Sequence, residues 1–100
     1  MTPETEAALV TAAANRIRAL DGLDRAWAEY RDALGERMAL PSAATGTAEE
    51  RLRALVAIQD AVARCKLCMD DLTAAMQRLA DAQTEASAAA WAAIEEDFGA

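Results

Sequence analysis

The sequence predicts an all-α fold: two long helices in an antiparallel coiled-coil hairpin that assembles into a larger helical bundle or ring. Three observations carry this expectation. Alanine, the best helix former, supplies 28 of 100 residues, while glycine and proline together supply six. Apolar residues recur at steps of three and four through both halves of the chain. A single stretch, residues 40–47, interrupts that rhythm with Pro41 and Gly46. The organisation that follows is one domain over 1–100, with helices at 3–39 and 48–97 joined by the turn at 40–47.

The first helix has a legible start. Thr2 suits the N-cap, Pro3 the first helical position, and Glu4 and Glu6 the positive end of the helix dipole. Leu20, Trp27 and Leu34 then form one seven-residue column, and Leu23 and Tyr30 a second. Ile17 and Met38 widen the stripe, and Arg16 interrupts it, where it can pair with an acid across the seam. Asp21-Gly22 breaks the chemistry but not the phase, so one helix, kinked at that point, is expected; two shorter helices are the alternative.

The second helix is announced by Thr47 and Glu50 at capping-box spacing. Its heptad runs through Leu55, Ile58, Val62, Cys65, Met69, Leu72, Met76 and Leu79, then continues in small residues through Ala86, Ala90 and Ala93. Glu49 before Arg53 and Asp60 before Arg64 are i,i+4 acid–base pairs. At 1.5 Å per residue a helix of about fifty residues is roughly 75 Å long and the first roughly 55 Å, so the carboxyl end of the second is expected to overhang. Two helices bury little apolar surface, so the stripe of Leu20, Trp27, Leu34, Leu55, Val62, Met69, Leu72, Met76 and Leu79 is expected to serve as an oligomer seam.

Composition narrows the function classes. There is no histidine, and serine occurs only at positions 42 and 87. The commonest general base and every histidine-based triad are therefore missing, and the chain reads as non-enzymatic with no cofactor. Its net charge of −7 disfavours non-specific attachment to nucleic acid or to an anionic membrane. No apolar run approaches the length of a membrane span, and the acidic amino terminus lacks the marks of a signal peptide. A cytoplasmic location, or export by a route without a signal peptide, is expected.

Cys65 and Cys68 form a Cys-x-x-Cys inside a helical heptad. A metal would need two further ligands, and an i,i+3 disulfide within a helix is strained, so Cys65 reads as a small seam residue and Cys68 as a residue that flanks it. Trp91, Ile94 and Phe98 form a separate apolar face on an alanine-rich segment, and Leu67 lies off the seam. These four are the expected partner-binding residues, since tryptophan is a favoured interface anchor. The partner is then a second copy or a similar helical protein. Arg37, Arg51 and Arg53 near the turn, and Arg16 and Arg18 towards the other end, read as parts of a solvated charged face.

The stretch Asp71-Leu72-Thr73-Ala74-Ala75-Met76-Gln77-Arg78-Leu79-Ala80, followed by Glu85-Ala86, is similar to the second helix of the small Trp-x-Gly family of type VII secretion substrates. Trp-x-Gly itself is missing at the turn, and Trp91-Ala92-Ala93-Ile94-Glu95 stands nearest to the family's carboxyl-terminal Tyr-x-x-x-acid export motif. The resemblance implies a non-enzymatic helical hairpin that pairs antiparallel into a four-helix bundle and is exported folded. The hairpin architecture also resembles that of small terminase subunits of tailed phages and gene transfer particles, which implies DNA packaging. Secretion or assembly chaperones, often short, acidic and helical, are the third alternative.

Overall fold

A computed structural model describes residues 1–99. Two helices account for nearly all of it: α1, Pro3–Met38, and α2, Ala48–Gly99. No strand occurs among the described residues. Both helices begin on threonine caps. The Thr5 N–H donates to Thr2 Oγ1 at 3.2 Å, and the Glu50 N–H donates to Thr47 Oγ1 at 3.2 Å. α1 passes through Asp21-Gly22 as one uninterrupted helix. It ends before Pro41, where the Leu40 N–H turns back onto the Arg37 carbonyl at 3.3 Å.

The chain divides into two compact units. A terminal unit combines Met1–Asp24 with the chain from Ala74 on, and a turn unit comprises Arg25–Thr73. Within each, a segment of α1 lies antiparallel to a segment of α2. In the terminal unit Thr5 meets Glu96 and Asn15 meets Glu85, so numbers rise along one helix as they fall along the other. In the turn unit Glu36 meets Arg64 in the same sense.

Burial sets the register. In α1 of the terminal unit the inward residues are Leu9, Ala12, Ala19 and Leu23; in the turn unit they are Ala26, Tyr30 and Ala33. Named as a heptad, Leu9, Arg16, Leu23 and Tyr30 occupy position a, and Ala12, Ala19, Ala26 and Ala33 position d. In α2, position a holds Ile58, Cys65 and Leu72 in the turn unit, then Leu79, Ala86 and Ala93 in the terminal unit. Position d holds Ala54, Ala61 and Cys68, then Ala75, Ala82 and Ala89. Each helix thus brings a column of mostly alanine to the seam, which lets the two backbones approach closely. Ala12 and Ala33 are 1% exposed, and the most buried residues are alanines and Cys65.

The hairpin seam therefore lies one column away from the bulky stripe expected to join copies. Leu72 and Leu79 face inward as half-buried residues, and Leu34 is half-buried at the edge. Leu20, Trp27, Leu55, Val62, Met69 and Met76 occupy position e, beside the seam, and remain exposed. The physical reason is spacing: Ala12, Ala19, Ala26 and Ala33 repeat every seven residues just as Leu20, Trp27 and Leu34 do, and antiparallel helices close more tightly on alanine.

The expected overhang is also corrected. α2 is the longer helix, but its carboxyl end is paired, with Glu96 held by Thr2 and Thr5. The extra length lies at its beginning, within the turn unit. There residues 39–47 run back along the first turns of α2, lining a cleft through Pro41, Ser42, Thr45 and Gly46 against Ala54 and Ala57. Arg51 Nε donates to the Ala43 carbonyl at 3.1 Å, and the Ala44 N–H donates to Ser42 Oγ at 3.1 Å, which fixes this return. Gly46 makes it possible with a φ of 100°. A Cβ added there would stand 2.7 Å from Glu50 Oε2.

Candidate interaction surface

The helical register sorts the remaining side chains onto two flanks. In the terminal unit Asn15 Nδ2 donates to the Glu85 carboxylate at 3.2 Å. In the turn unit Arg64 pairs with Glu36. All four residues stand at position g, so the g positions of the two helices share one side of the seam in each unit. The e positions must then share the other.

The g side is charged. Within the terminal unit it forms a cleft of about 360 Å³ lined by Asn15, Arg18, Gly22, Arg78, Asp81 and Glu85 over an alanine floor. Arg64 was expected to pair with Asp60 but reaches across to Glu36 instead; its pKa is raised, first by that hydrogen bond and then by the attraction of the carboxylate. The i,i+4 pair of Glu49 and Arg53 is formed at 2.5 Å.

The e side is apolar. In the turn unit it presents Trp27, Leu34 and Met38 from α1 and Leu52, Leu55, Val62 and Met69 from α2; its charges are Arg31 and Lys66. Trp27 is braced by Tyr30, with ring centroids 6.1 Å apart and planes tilted by 39°. In the terminal unit the same side presents Val10, Ile17 and Leu20 from α1 and Met76 and Ile94 from α2; its charges are Glu6, Asp24 and Asp97. A cleft of about 370 Å³ opens there between Leu9, Ala13, Ile17, Leu20 and Ala86, with Arg16 at its edge. Arg16 stands at position a yet is exposed, and among the described residues no carboxylate pairs with it.

Of the expected docking residues, three lie close together and the fourth stands apart. Trp91 and Phe98 share position f, the outward side of α2, where Phe98 is 87% exposed. Ile94 stands at position b on the apolar side, and Leu67 at position c on the charged side of the turn unit. The register brings Trp91, Ile94 and Phe98 onto neighbouring columns and leaves Leu67 apart. Cys65 is buried and Cys68 half-buried, both free and both turned to the seam. No cluster of potential metal ligands occurs among the described residues. No described helix is long and apolar enough to cross a membrane.

At the far end of the terminal unit the Glu96 carboxylate accepts hydrogen bonds from the Thr5 hydroxyl and the Thr2 N–H. Its pKa is lowered, first by Thr5 and then by Thr2. The sequence reading did not single out Glu96, although it stands at position d of the α2 heptad, where a carboxylate needs partners. No protein-family model, curated protein or solved structure matches the chain.

Proposed function

We propose that the chain is a non-enzymatic assembly module that associates with a second helical surface through the apolar flank of its hairpin. One observation carries the reading: polar contacts gather on the g side, Asn15 with Glu85 in one unit and Arg64 with Glu36 in the other, while most of the large apolar side chains gather on the e side. A flank that faced only water would have no need of Trp27, Leu55, Val62 and Met69.

The magnitudes agree. Covering the exposed large side chains of one unit's flank removes on the order of 400 Å² of apolar surface, or about 10 kcal/mol at roughly 25 cal/mol per Å². Association costs about 4–15 kcal/mol, so burial on both partners is required for a net gain. Light scattering of the purified chain at micromolar concentration tests the reading. A mass that is a multiple of 10.6 kDa, or a stable complex with a helical protein that co-purifies, is expected. A 10.6 kDa monomer that captures no partner contradicts it.

A packaging role of the small-terminase kind would require phosphate contacts, and the 17 acidic residues against 10 basic ones weigh against it. Gel shifts at low and moderate salt separate the two readings, since tight binding lost steeply with salt belongs to packaging alone.

A further inference from the structure

Arg16, Leu20 and Asp24 form one row of the terminal unit, at steps of four along α1. All three are exposed. Each step of four turns the helix surface by only about 40°, so the row is a continuous ridge. Leu20 stands at its centre, with a cation four residues before it and an anion four residues after. Among the described residues neither Arg16 nor Asp24 has an ion-pair partner. Val10 and Ile17 on α1 and Met76 on α2 surround the ridge as exposed apolar side chains. Together with Leu20 they leave on the order of 300–400 Å² open, the size of patch that on a monomer is often functional.

Such a row is complementary to its own reverse. A second copy of α1, laid antiparallel and centred on Leu20, brings its Asp24 to the level of Arg16 and its Arg16 to the level of Asp24. The same charges laid parallel would set Arg16 against Arg16. Isologous contacts have this reciprocity, since residue i meets j and j meets i.

We infer that the occupant of this flank of the terminal unit is a second copy of the chain, packed antiparallel about Leu20 with two reciprocal Arg16–Asp24 ion pairs. The inference rests on the assembly reading above and adds the partner, the face and the register. Arg16 is thereby explained: at a heptad position reserved for apolar side chains, it is retained as the group that selects one alignment, as charged rim positions do in helical pairing.

The test uses the full-length chain and three variants: Arg16→Asp, Asp24→Arg and the double exchange. All the altered positions are exposed, and circular dichroism checks that helix content is kept. Each single reversal sets like charges against each other twice and is expected to weaken self-association at least ten-fold. The double exchange restores opposite charges and is expected to recover the wild-type mass by light scattering. Mixing the two single variants is expected to produce a mixed dimer, because an acidic ridge then meets a basic one. If the wild type associates but the single variants do so equally well, or if mixing restores nothing, the register is overturned while the assembly reading stands. A monomeric wild type overturns the inference, and it overturns the assembly reading as well when no helical protein co-purifies with it.

Discussion

The two units of the hairpin close on different side chains. In the terminal unit the α2 side of the seam is Ala75, Leu79, Ala82, Ala86, Ala89 and Ala93, and the helix ends are tied by polar groups, Thr2 and Thr5 on Glu96. In the turn unit Cys65, Cys68 and Leu72 share the seam with Tyr30 and Ala33, and the returning segment 39–47 adds the Arg51–Ala43 bond. One unit gains its closeness from small residues and hydrogen bonds; the other adds apolar bulk. Burial of bulk stabilises more than exposed polar ties, so the terminal unit is expected to open at lower free energy than the turn unit. Hydrogen exchange should show the amides of Ala12 and Ala89 exchanging ahead of those of Ala33 and Cys65.

Substitutions sharpen the contrast. The largest effect is expected in the turn unit, where Leu72→Ala removes apolar burial that no neighbour replaces. A loss of about 2–3 kcal/mol by chemical denaturation is expected, at the lower end of the range because Leu72 is half-buried. A loss below about 0.5 kcal/mol would equate the two units. Gly46→Ala comes next. Its positive φ and the nearby Glu50 side chain make alanine strained there, and about 1–2 kcal/mol of destabilisation is expected in thermal melts.

Glycine in the terminal unit behaves in the opposite way. Gly22 sits within a continuous helix, and a Cβ there would meet nothing within 4 Å. Gly22→Ala should therefore stabilise the chain by about 0.5–1 kcal/mol. Destabilisation would mean that the helix needs its glycine for a kink it does not have here.

The smallest expected effect is that of acid on Glu96. Its pKa is lowered in the folded chain, so its contribution is complete above the ordinary carboxylate range and is lost as pH falls through the folded value. Amide exchange around Thr5 and Ala93 should speed up over that interval, and the extra sensitivity should vanish in Glu96→Gln. Acid sensitivity unchanged by that substitution would assign the effect to other carboxylates.

Much of the fold was legible. Thr2 and Thr47 announce their helices through side-chain oxygens that can bond nowhere better, and Pro41 ends α1 by excluding the helical conformation before it. The hairpin seam is not legible from bulk, because the column that closes is alanine and the bulky column lies beside it. Leu20, Trp27 and Leu34 share their seven-residue spacing with Ala12, Ala19, Ala26 and Ala33, and periodicity alone cannot tell which column closes. The place of the overhang is hidden because 40–47 reads as a simple turn, whereas the connection travels back along α2 and absorbs the difference in length. The partner of Arg64 is hidden for a related reason: an i,i+4 neighbour is visible in sequence, but a residue across the seam is not until the register is known.

The central claim is that bulky residues left outside the alanine seam are there to be covered by another helical surface. Light scattering of Leu20→Gln/Trp27→Gln beside the wild type tests it most directly, since glutamine keeps helix propensity while removing apolar bulk from the e side of each unit. The account predicts a wild-type assembly heavier than 10.6 kDa and a variant of 10.6 kDa with undiminished helix content. A variant that assembles as fully as the wild type would contradict it.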